Sequence, residues 1–366
     1  MREHSQWMQQ ALHLAEKGRG FTSPNPMVGA VIVKNRQIIG QGFHQKFGGP
    51  HAEVLALREA GNAAKGATLY VTLEPCVHHG KTPPCVPQII QAGICEVYIS
   101  MIDPNPLVNQ EGIRRLKEAG IKVYTGLLED EARILNRGFM YLIEKRRPWI
   151  TLKMAQTADG YVADLKGNSK WITAPPARDF VASQRLLYDG VMVGVGTVLK
   201  DNPGLLPKKR DGYVPWRIIL DETLQVPETA QVVSDDFKHR TLIVTLCDEN
   251  KKLYNHFSAQ GIHLLSIQKG SSGRVTMGET LKCLGEFGIT SIYCEGGSHV
   301  AGSLLYEKIC DELQLFIAPK VLGEGLSTFG GFRKSIEKPL PLIWDEIQKI
   351  GPDVLVRGRL DPCLQD

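Results

Sequence analysis

The sequence has no long apolar run. No stretch approaches the roughly 18 consecutive apolar residues that a membrane-spanning helix requires. Residues 1–20 alternate charged and apolar side chains at helical spacing, whereas a signal peptide needs a continuous apolar core. We therefore expect a cytoplasmic protein that is neither exported nor held in a membrane.

The sequence also lacks a dense basic stripe. Its net charge of +4 is spread over 366 residues, and aromatic residues make up only 7% of the chain. Proteins that bind nucleic acids concentrate lysine and arginine on one surface, commonly with aromatic side chains among them. No nucleic-acid partner is expected, whereas a small anionic substrate such as a phosphate fits the modest positive charge.

The cysteines do not form a pattern typical of a disulfide scaffold. Eight are present in 366 residues, and a cytoplasmic chain of this length does not depend on disulfides for its stability. Cys76 and Cys85 differ from the other six because they lie in a polar segment rich in proline and histidine. That context is typical of metal ligands.

The chain length suits two domains. Periodicity in the first half follows the order β-β-α-β-α-β-α-β-α after an amphipathic helix, which predicts a layered α/β domain with a largely parallel sheet and a long helix over residues 129–144. The charged break Lys145-Arg146-Arg147-Pro148 marks a boundary. We therefore expect one domain over residues 1–146 and a second α/β domain over residues 147–366.

The first half contains a metal-binding pattern. His51-Ala52-Glu53 opens a predicted helix, Pro75-Cys76 follows a predicted strand, and Cys85 opens the next helix. One histidine and two cysteines give Zn²⁺ three protein ligands and leave the fourth position for water, as in catalytic zinc sites. Glu53 is then the candidate proton carrier. A fourth ligand from His78 or His79 would make the site structural, and the pattern leaves that alternative open.

The second half contains two glycine-rich turns that follow predicted strands, Gly194-Val195-Gly196 and Glu295-Gly296-Gly297-Ser298. Such turns let backbone N–H groups approach a phosphate at the start of a helix. The pattern falls short of the full dinucleotide fingerprint, because no acidic residue follows at the expected distance. Turn glycines without any ligand explain it equally well at this point.

Longer segments carry a resemblance to a known family. Residues 24–29, 72–85 and 103–106 resemble the bifunctional deaminase–reductases of riboflavin biosynthesis. In the second half, the family's reductase motifs occur in their typical order at Lys153, Asp159-Gly160, residues 169–173, Arg185, Thr197-Val198, residues 201–203 and residues 295–297. The resemblance implies a cytidine-deaminase-like three-layer domain followed by a domain similar to dihydrofolate reductase.

The resemblance also implies two consecutive reactions. The first is zinc-dependent hydrolytic deamination of 2,5-diamino-6-ribosylamino-4(3H)-pyrimidinone 5′-phosphate. The second is NADPH-dependent reduction of the ribosyl group of 5-amino-6-(5-phosphoribosylamino)uracil to ribityl. A small phosphorylated pyrimidine is thus the expected partner, Zn²⁺ and NADPH are the expected cofactors, and we expect a homo-oligomer.

Individual residues receive roles from the same resemblance. Besides Glu53, Lys153 is the expected catalytic residue, acting by polarising or protonating the sugar. The expected zinc ligands are His51, Cys76 and Cys85. The expected substrate contacts are Asn25, His44, His78, Lys81, Asp103 and Asn105 in the first domain and Ser169, Arg185, Leu205, Lys208 and Glu295 in the second. The expected NADPH contacts are Ala155, Trp171, Thr197, Asp201, Gly297, Ser298, His299, Val300, Ala301, Gly302 and Ser303.

One departure from the family concerns the substrate phosphate. Where the family continues to Leu-Thr-x-Arg, this chain has Leu205-Leu206-Pro207-Lys208. Lysine keeps the positive charge but loses the planar fork of arginine. Either Lys208, Lys209 or Arg210 supplies the charge, or the second domain binds its substrate more weakly.

Two other functions stay open on the sequence alone. The first domain also fits a nucleoside or tRNA deaminase, although lysine and arginine are not concentrated in residues 1–145. The second domain also fits a non-catalytic module that binds or dimerises, an alternative whose only support is the departure at Lys208.

Overall fold

The chain divides between Arg146 and Arg147 into two units, residues 1–146 and residues 147–366. The computed structural model describes residues 2–78, 82–105, 110–208, 212–268 and 276–360. Within those ranges, no helix combines the length and the apolar character needed to cross a membrane.

The first unit alternates strands and helices after an N-terminal helix. In chain order it contains α1 (Arg2–Glu16), β1 (Gly29–Lys34), β2 (Gln37–Phe43), α2 (Ala52–Ala60), β3 (Thr68–Leu73), α3 (Cys85–Gln91), β4 (Glu96–Met101), α4 (Glu111–Glu118), β5 (Lys122–Thr125), α5 (Glu129–Leu135) and α6 (Arg137–Lys145).

The sheet of the first unit is mixed, so the prediction of a largely parallel sheet was wrong. The strand order is β2-β1-β3-β4-β5. Strand β1 is antiparallel to both β2 and β3, whereas β3, β4 and β5 run parallel. The reason is local: Asn35 and Arg36, with φ of 52° and 59°, form a two-residue turn that folds β1 and β2 into a hairpin.

Alternate residues of β1 face two different cores, which confirms the three-layer arrangement. Ala30 and Ile32 pack with the apolar side chains of α2, α3 and α4. Val31 and Val33 pack on the other face with α1, α5 and α6. Because successive strand residues point to opposite faces, a continuously apolar strand is the signature of a sheet covered on both sides.

The helix predicted over residues 129–144 is broken at Asn136. This side chain is buried, accepts a hydrogen bond from the Met27 backbone N–H at 2.8 Å and donates one to the Met27 carbonyl at 3.0 Å. The pairing fixes the segment that follows Asn25-Pro26 against the end of α5. Helical periodicity continues across Asn136, so the break has no signal in the apolar pattern.

The second unit is larger. In chain order it contains β6 (Trp149–Thr157), β7 (Tyr161–Ala163), α7 (Pro175–Gln184), β8 (Gly190–Gly194), α8 (Val195–Asp201), β9 (Trp216–Leu220), α9 (Gln231–Ser234), β10 (Thr241–Thr245), α10 (Lys252–Ala259), β11 (His263–Ser266), α11 (Met277–Glu286), β12 (Ser291–Cys294), α12 (Ser298–Tyr306), β13 (Glu312–Ala318), β14 (Leu326–Ser327), β15 (Leu342–Ile350) and β16 (Asp353–Leu360).

Nine of these strands form one sheet in the order β11-β10-β9-β8-β12-β6-β13-β16-β15. The first seven in this order are parallel, and β16 and β15 are added antiparallel at one edge. Helices cover both faces of the parallel part, with α11 and α12 on one face and α8, α9 and α10 on the other. The carboxyl ends of β6, β12, β8 and β9 therefore meet at one edge, where open α/β sheets bind their ligands.

A buried ion pair ties β9 to the segment after α9. Arg217 is completely buried, and its guanidinium donates to both carboxylate oxygens of Asp235 at 2.7 and 2.8 Å and to the Val232 carbonyl at 3.0 Å. It also reaches the Gly204 carbonyl at 3.3 Å. The pair thus anchors the loop that follows α8.

Replacing Asp235 by alanine should destabilise the second unit by about 3 kcal/mol, because it leaves a buried guanidinium without its counter-charge. Urea unfolding followed by tryptophan fluorescence measures the change. The matched control is Asp179→Ala, which breaks the exposed pair with Lys208 and should cost at most about 0.5 kcal/mol. Equal losses in the two variants would contradict a special role for the buried pair.

Candidate active sites

Three metal-ligating side chains meet in the first unit. His51 is the residue before α2, Cys76 follows β3, and Cys85 is the first residue of α3. His51 Nδ1 lies 3.2 Å from Cys85 Sγ and 3.5 Å from Cys76 Sγ. All three ligand atoms lie within 4.8 Å of one another.

The cluster fits a zinc ion. Bond lengths of about 2.0 Å to nitrogen and about 2.3 Å to sulfur in a tetrahedron place the ligand atoms about 3.5 Å apart, close to the distances here. Among the described residues the cluster has three members, the count of an open, catalytic site. His78 is exposed and outside the cluster, and His79 lies outside the described residues.

Each of the two thiols shifts the pKa of the other. The hydrogen bond with Cys85 lowers the pKa of Cys76 to about 4, with a further contribution from His51. The same hydrogen bond, together with burial, raises the pKa of Cys85. The pair thus shares one proton, and a cation among the three ligands would take the place of that proton, because metals bind thiolates.

Glu53 lies in the first turn of α2 and is almost completely buried, with 3% of its surface exposed. Burial raises the pKa of its carboxyl, and the nearby His51 opposes that rise. Burial thus favours the protonated form of this carboxyl, and a carboxyl with a raised pKa suits general acid–base chemistry. Glu53 is not a member of the ligand cluster, so it keeps its carboxylate for proton transfer.

Thr82 is a residue that the sequence reasoning missed. Its hydroxyl lies 3.1 Å from Nε2 of His51, the ring nitrogen that faces away from the two thiols. A partner at this nitrogen fixes the tautomer and the orientation of a metal-binding histidine. Its only sequence signal is its place in the segment between the two cysteines.

Several residues expected to contact the substrate surround this cluster. The amide nitrogen of Asn25 lies 3.3 Å from Nε2 of His44, and the His44 ring is 5.6 Å from the His51 ring. Asp103 is buried and accepts a hydrogen bond from the Asn105 backbone N–H at 2.9 Å. Lys81 lies outside the described residues.

The pKa of the buried Asp103 carboxyl is raised above its usual value. Burial raises its pKa to about 6, and the hydrogen bond from the Asn105 backbone N–H opposes this rise. Smaller electrostatic contributions come from Glu74 and His78, so both side chains lie near Asp103.

Glu74 is a second residue that the sequence reasoning missed. Its buried carboxylate accepts backbone hydrogen bonds from Gln110 and Gly112 at 3.0 Å, with longer ones from Ile113 and Asp103. It thereby ties the Asp103 loop and the start of α4 to the strand that leads to Cys76. A buried acid just before Pro75-Cys76 is the only sequence signal for it.

The second unit contains a cavity of about 1060 Å³ at the carboxyl ends of β6, β12, β8 and β9. Fourteen of the expected substrate and cofactor residues line it. They are Lys153, Ala155, Ser169, Trp171, Arg185, Thr197, Asp201, Leu205, Glu295, Gly297, Ser298, His299, Val300 and Ser303.

A buried charge cluster lies at one end of this cavity. Arg185 donates to both carboxylate oxygens of Glu295, at 2.6 and 3.0 Å, and to the Leu206 carbonyl at 2.7 Å. Burial opposes ionisation of Glu295, but Arg185 and Lys153 outweigh it and lower the pKa of Glu295. Burial also lowers the pKa of Lys153, although Glu295 limits that effect. The lysine is therefore a stronger acid than it would be in water.

Three expected residues do not line the cavity. Ala301 packs in the core beneath α12. Gly302 faces the Gly330 backbone so closely that a Cβ atom would lie 2.0 Å from the Gly330 oxygen. Lys208 forms an exposed ion pair with Asp179 at 2.7 Å. The expected NADPH contacts over residues 297–303 are interrupted in the cavity lining at Ala301 and Gly302. Successive residues of a helix face different directions, so a continuous run cannot face one cavity.

The cavity also contains residues that the sequence reasoning did not single out. Arg178 and Val181 line it together with the expected Arg185. Their spacing along and just beyond α7 is the i, i+3, i+7 pattern of a single helix face, a signal that was available in the sequence. Lys170 and Lys200 add two further cations to the lining.

Two family descriptions match the chain. Residues 1–101 match the cytidine and deoxycytidylate deaminase zinc-binding region, and residues 148–356 match the RibD C-terminal domain. Together with the two sheets, these matches confirm the expected fold class, a deaminase-like α/β domain followed by a reductase-type α/β domain.

Curated relatives and solved structures match over nearly the whole length. The riboflavin biosynthesis protein RibD of Aquifex aeolicus is 44% identical over 354 residues, which covers 96% of this chain and 96% of the relative. That of Bacillus amyloliquefaciens is 44% identical over 352 residues, or 95% and 94% of the two chains.

Among solved structures, RibD of Acinetobacter baumannii is 35% identical with a TM-score of 0.87, covering 98% of this chain and 99% of that one. A Thermotoga maritima protein described as a diaminohydroxyphosphoribosylaminopyrimidine deaminase/5-amino-6-(5-phosphoribosylamino)uracil reductase is 37% identical. Its TM-score is 0.86 at the same coverage.

Replacing Thr82 by valine should weaken zinc binding by about tenfold, because the hydrogen bond that orients His51 is lost while the side-chain shape is kept. Competition with a coloured chelator measures the zinc affinity of the purified protein. Thr82→Ser retains the hydroxyl and should bind zinc as tightly as the unmodified protein. If the valine and serine variants bind equally, the hydroxyl has no role at the metal.

Proposed function

Because this chain belongs to the RibD family of riboflavin biosynthesis proteins, a family of bifunctional deaminases and reductases, we propose that its two sites act in sequence on one phosphorylated pyrimidine. The chain is a hydrolase in its first unit and an oxidoreductase in its second. The substrates we propose are those in the name of the Thermotoga relative, the diamino pyrimidine phosphate for deamination and 5-amino-6-(5-phosphoribosylamino)uracil for reduction.

One observation carries this proposal: a single chain holds an open His-Cys-Cys cluster beside a buried glutamate and, in its other unit, a large cavity with a buried lysine–glutamate–arginine group. The first arrangement suits hydrolysis of an amidine, and the second suits reduction of a sugar carbon. A nucleoside or tRNA deaminase explains only the first of the two. A non-catalytic second domain leaves its buried charges unexplained, because such charges cost stability.

In the first unit, His51, Cys76 and Cys85 would hold the zinc ion. When bound, Zn²⁺ acts as a Lewis acid that lowers the pKa of a water molecule to about 7. We propose that Glu53 accepts a proton from the attacking water and gives it to the ring nitrogen. It then carries the proton of the added hydroxyl to the amine, which leaves as ammonia when the C–N bond breaks and the C=O bond forms. Asn25 and His44 would orient the ring edge, since an amide and an imidazole offer both donors and acceptors.

In the second unit, the cavity would hold NADPH against the sugar. When bound, NADPH supplies a hydride, which adds to C1′ of the ring-opened ribosylimine. We propose that Lys153 donates a proton to the imine nitrogen, so that the C=N bond becomes an amine and charge is balanced. Glu295, held by Arg185, would stabilise the lysine ammonium before transfer and position the sugar hydroxyls.

We further propose that the protein is a homo-oligomer that pairs through β15. This nine-residue strand lies at the edge of the sheet and is exposed along nearly its whole length. Trp344 is 51% exposed and Ile347 is 70% exposed. An open edge with large apolar side chains favours association with a second copy of the chain.

Reduced cysteines at the zinc cluster also fit a cytoplasmic location, where thiols are kept reduced.

Two variants should separate the two activities. Glu53→Gln should retain zinc but lower ammonia release from the diamino pyrimidine phosphate at least 100-fold, because the proton carrier is lost. Lys153→Ala should release ammonia at the unmodified rate but oxidise NADPH about 100-fold more slowly with the deaminated product. Each variant is the control for the other. A variant that loses both activities, or neither, contradicts the assignment.

Introducing a charge on the exposed strand should disrupt the oligomer. Ile347→Asp should shift the protein to a monomer in sedimentation-velocity experiments, because an aspartate buried at an interface lacks a partner. Ile134→Asp is the matched control, since Ile134 is a similarly exposed isoleucine on α5 in the first unit. The pairing through β15 is wrong if both variants sediment like the unmodified protein.

A further inference from the structure

The phosphate of the proposed reductase substrate requires a cation. A phosphate monoester carries about −1.5 to −2 charges at neutral pH, and proteins usually meet it with arginine or lysine. The sequence leaves Lys208, Lys209 or Arg210 as the expected cation, and Lys209 and Arg210 lie outside the described residues. The Lys208 ammonium pairs with Asp179, both side chains are more than half exposed, and Lys208 is not part of the cavity lining.

Five cations line the cavity, and three of them already have an acidic neighbour. Arg185 and Lys153 share Glu295, and Lys170 pairs with Asp201 at 3.5 Å. The remaining two are Arg178 and Lys200. Lys200 belongs to α8, the helix that also carries Thr197 and Asp201 of the expected cofactor side. Arg178 belongs to α7, which leads directly into Arg185.

The guanidinium of Arg178 is held in place by neutral groups. It donates to the Thr173 carbonyl at 2.6 Å and stacks on the Trp171 ring, with 4.4 Å from its central carbon to the ring centre. Within the described part of the chain, no carboxylate pairs with it. One of its five N–H donors is thus used, and the planar fork stays available for an anion with its orientation already restricted.

The spacing from the buried charge cluster suits a sugar phosphate. Arg178 and Arg185 are seven residues apart on one helical face, a rise of about 10 Å. The reacting C1′ lies near Lys153 and Glu295 in the proposed reaction, and the phosphate is at the far end of a five-carbon chain. An extended chain together with the arginine side chain spans this separation.

We propose that Arg178, in place of Lys208, binds the 5′-phosphate of the reductase substrate. The inference rests on the proposed function and adds a binding residue to it. The fork of Arg178 would donate two N–H groups to two phosphate oxygens, while Trp171 and the Thr173 carbonyl keep the guanidinium at the cavity wall. The phosphate would then be bound by a residue of α7 and not by one in the loop that follows α8, where the family has its arginine.

Steady-state kinetics on the full-length protein tests this assignment. With 5-amino-6-(5-phosphoribosylamino)uracil at saturating NADPH, Arg178→Gln should raise the KM for the pyrimidine about 30-fold, the effect expected for losing a charge-assisted bidentate contact. Arg178→Lys should raise it less, because the charge is kept. Lys208→Gln, the matched control, should change it less than twofold. Both position-178 variants should release ammonia in the deaminase assay at the unmodified rate, which reports an intact first unit.

The dephosphorylated substrate distinguishes phosphate binding from a general defect. Arg178→Gln and the unmodified protein should reduce it with equal kcat/KM, because the group that Arg178 recognises is absent. The assignment is overturned if Lys208→Gln has the larger effect, if the dephosphorylated substrate is affected equally, or if only the KM for NADPH rises. The last result would place Arg178 at a cofactor phosphate. An unmodified protein that reduces neither pyrimidine would instead contradict the proposed function itself.

Discussion

Both sites depend on one geometric constraint, which is that parallel strands joined by helices end at the same edge of a sheet. In the first unit this brings the end of β3 against the starts of α2 and α3, so that His51 and Cys85, 34 residues apart, lie 3.2 Å apart. In the second unit it brings Arg185 to Glu295 across 110 residues. Some of the expected functional groups lie at element ends and others within elements, as Lys153 does within β6, but the sheet sets the distances between them.

The metal-ligand cluster could be predicted from the sequence because it depends on residue type. Contacts that depend on single atoms could not be predicted in this way. Histidine and cysteine at element ends are common zinc ligands, so the cluster of His51, Cys76 and Cys85 could be found from residue type and spacing alone. Thr82 and Glu74 act through one hydroxyl and four backbone N–H groups, which no spacing rule encodes. Likewise, the turn at Asn35-Arg36 indicates the hairpin of β1 and β2, but the apolar run of β1 does not show that β3 pairs with it antiparallel.

Buried charge serves two purposes in this chain. The Arg217 guanidinium donates to Asp235 and to the Val232 and Gly204 carbonyls, and it holds the loop that follows α8. At Glu53 and Lys153, burial shifts the pKa of each group toward its neutral form. The desolvation that costs stability at these two positions is the kind of perturbation expected of groups that transfer protons.

The exposure of strand β15 bears on how the stability of the second unit would depend on protein concentration. In the proposed homo-oligomer, β15 would be covered by a second copy and would contribute fully to folding only after association, so the free energy of unfolding of the second unit would depend on protein concentration. Dilution would then act as a mild denaturant of the reductase unit and would leave the deaminase unit, which has its own two cores, unaffected. The ratio of the two activities would therefore vary with the amount of enzyme present, even though both sites lie on one chain.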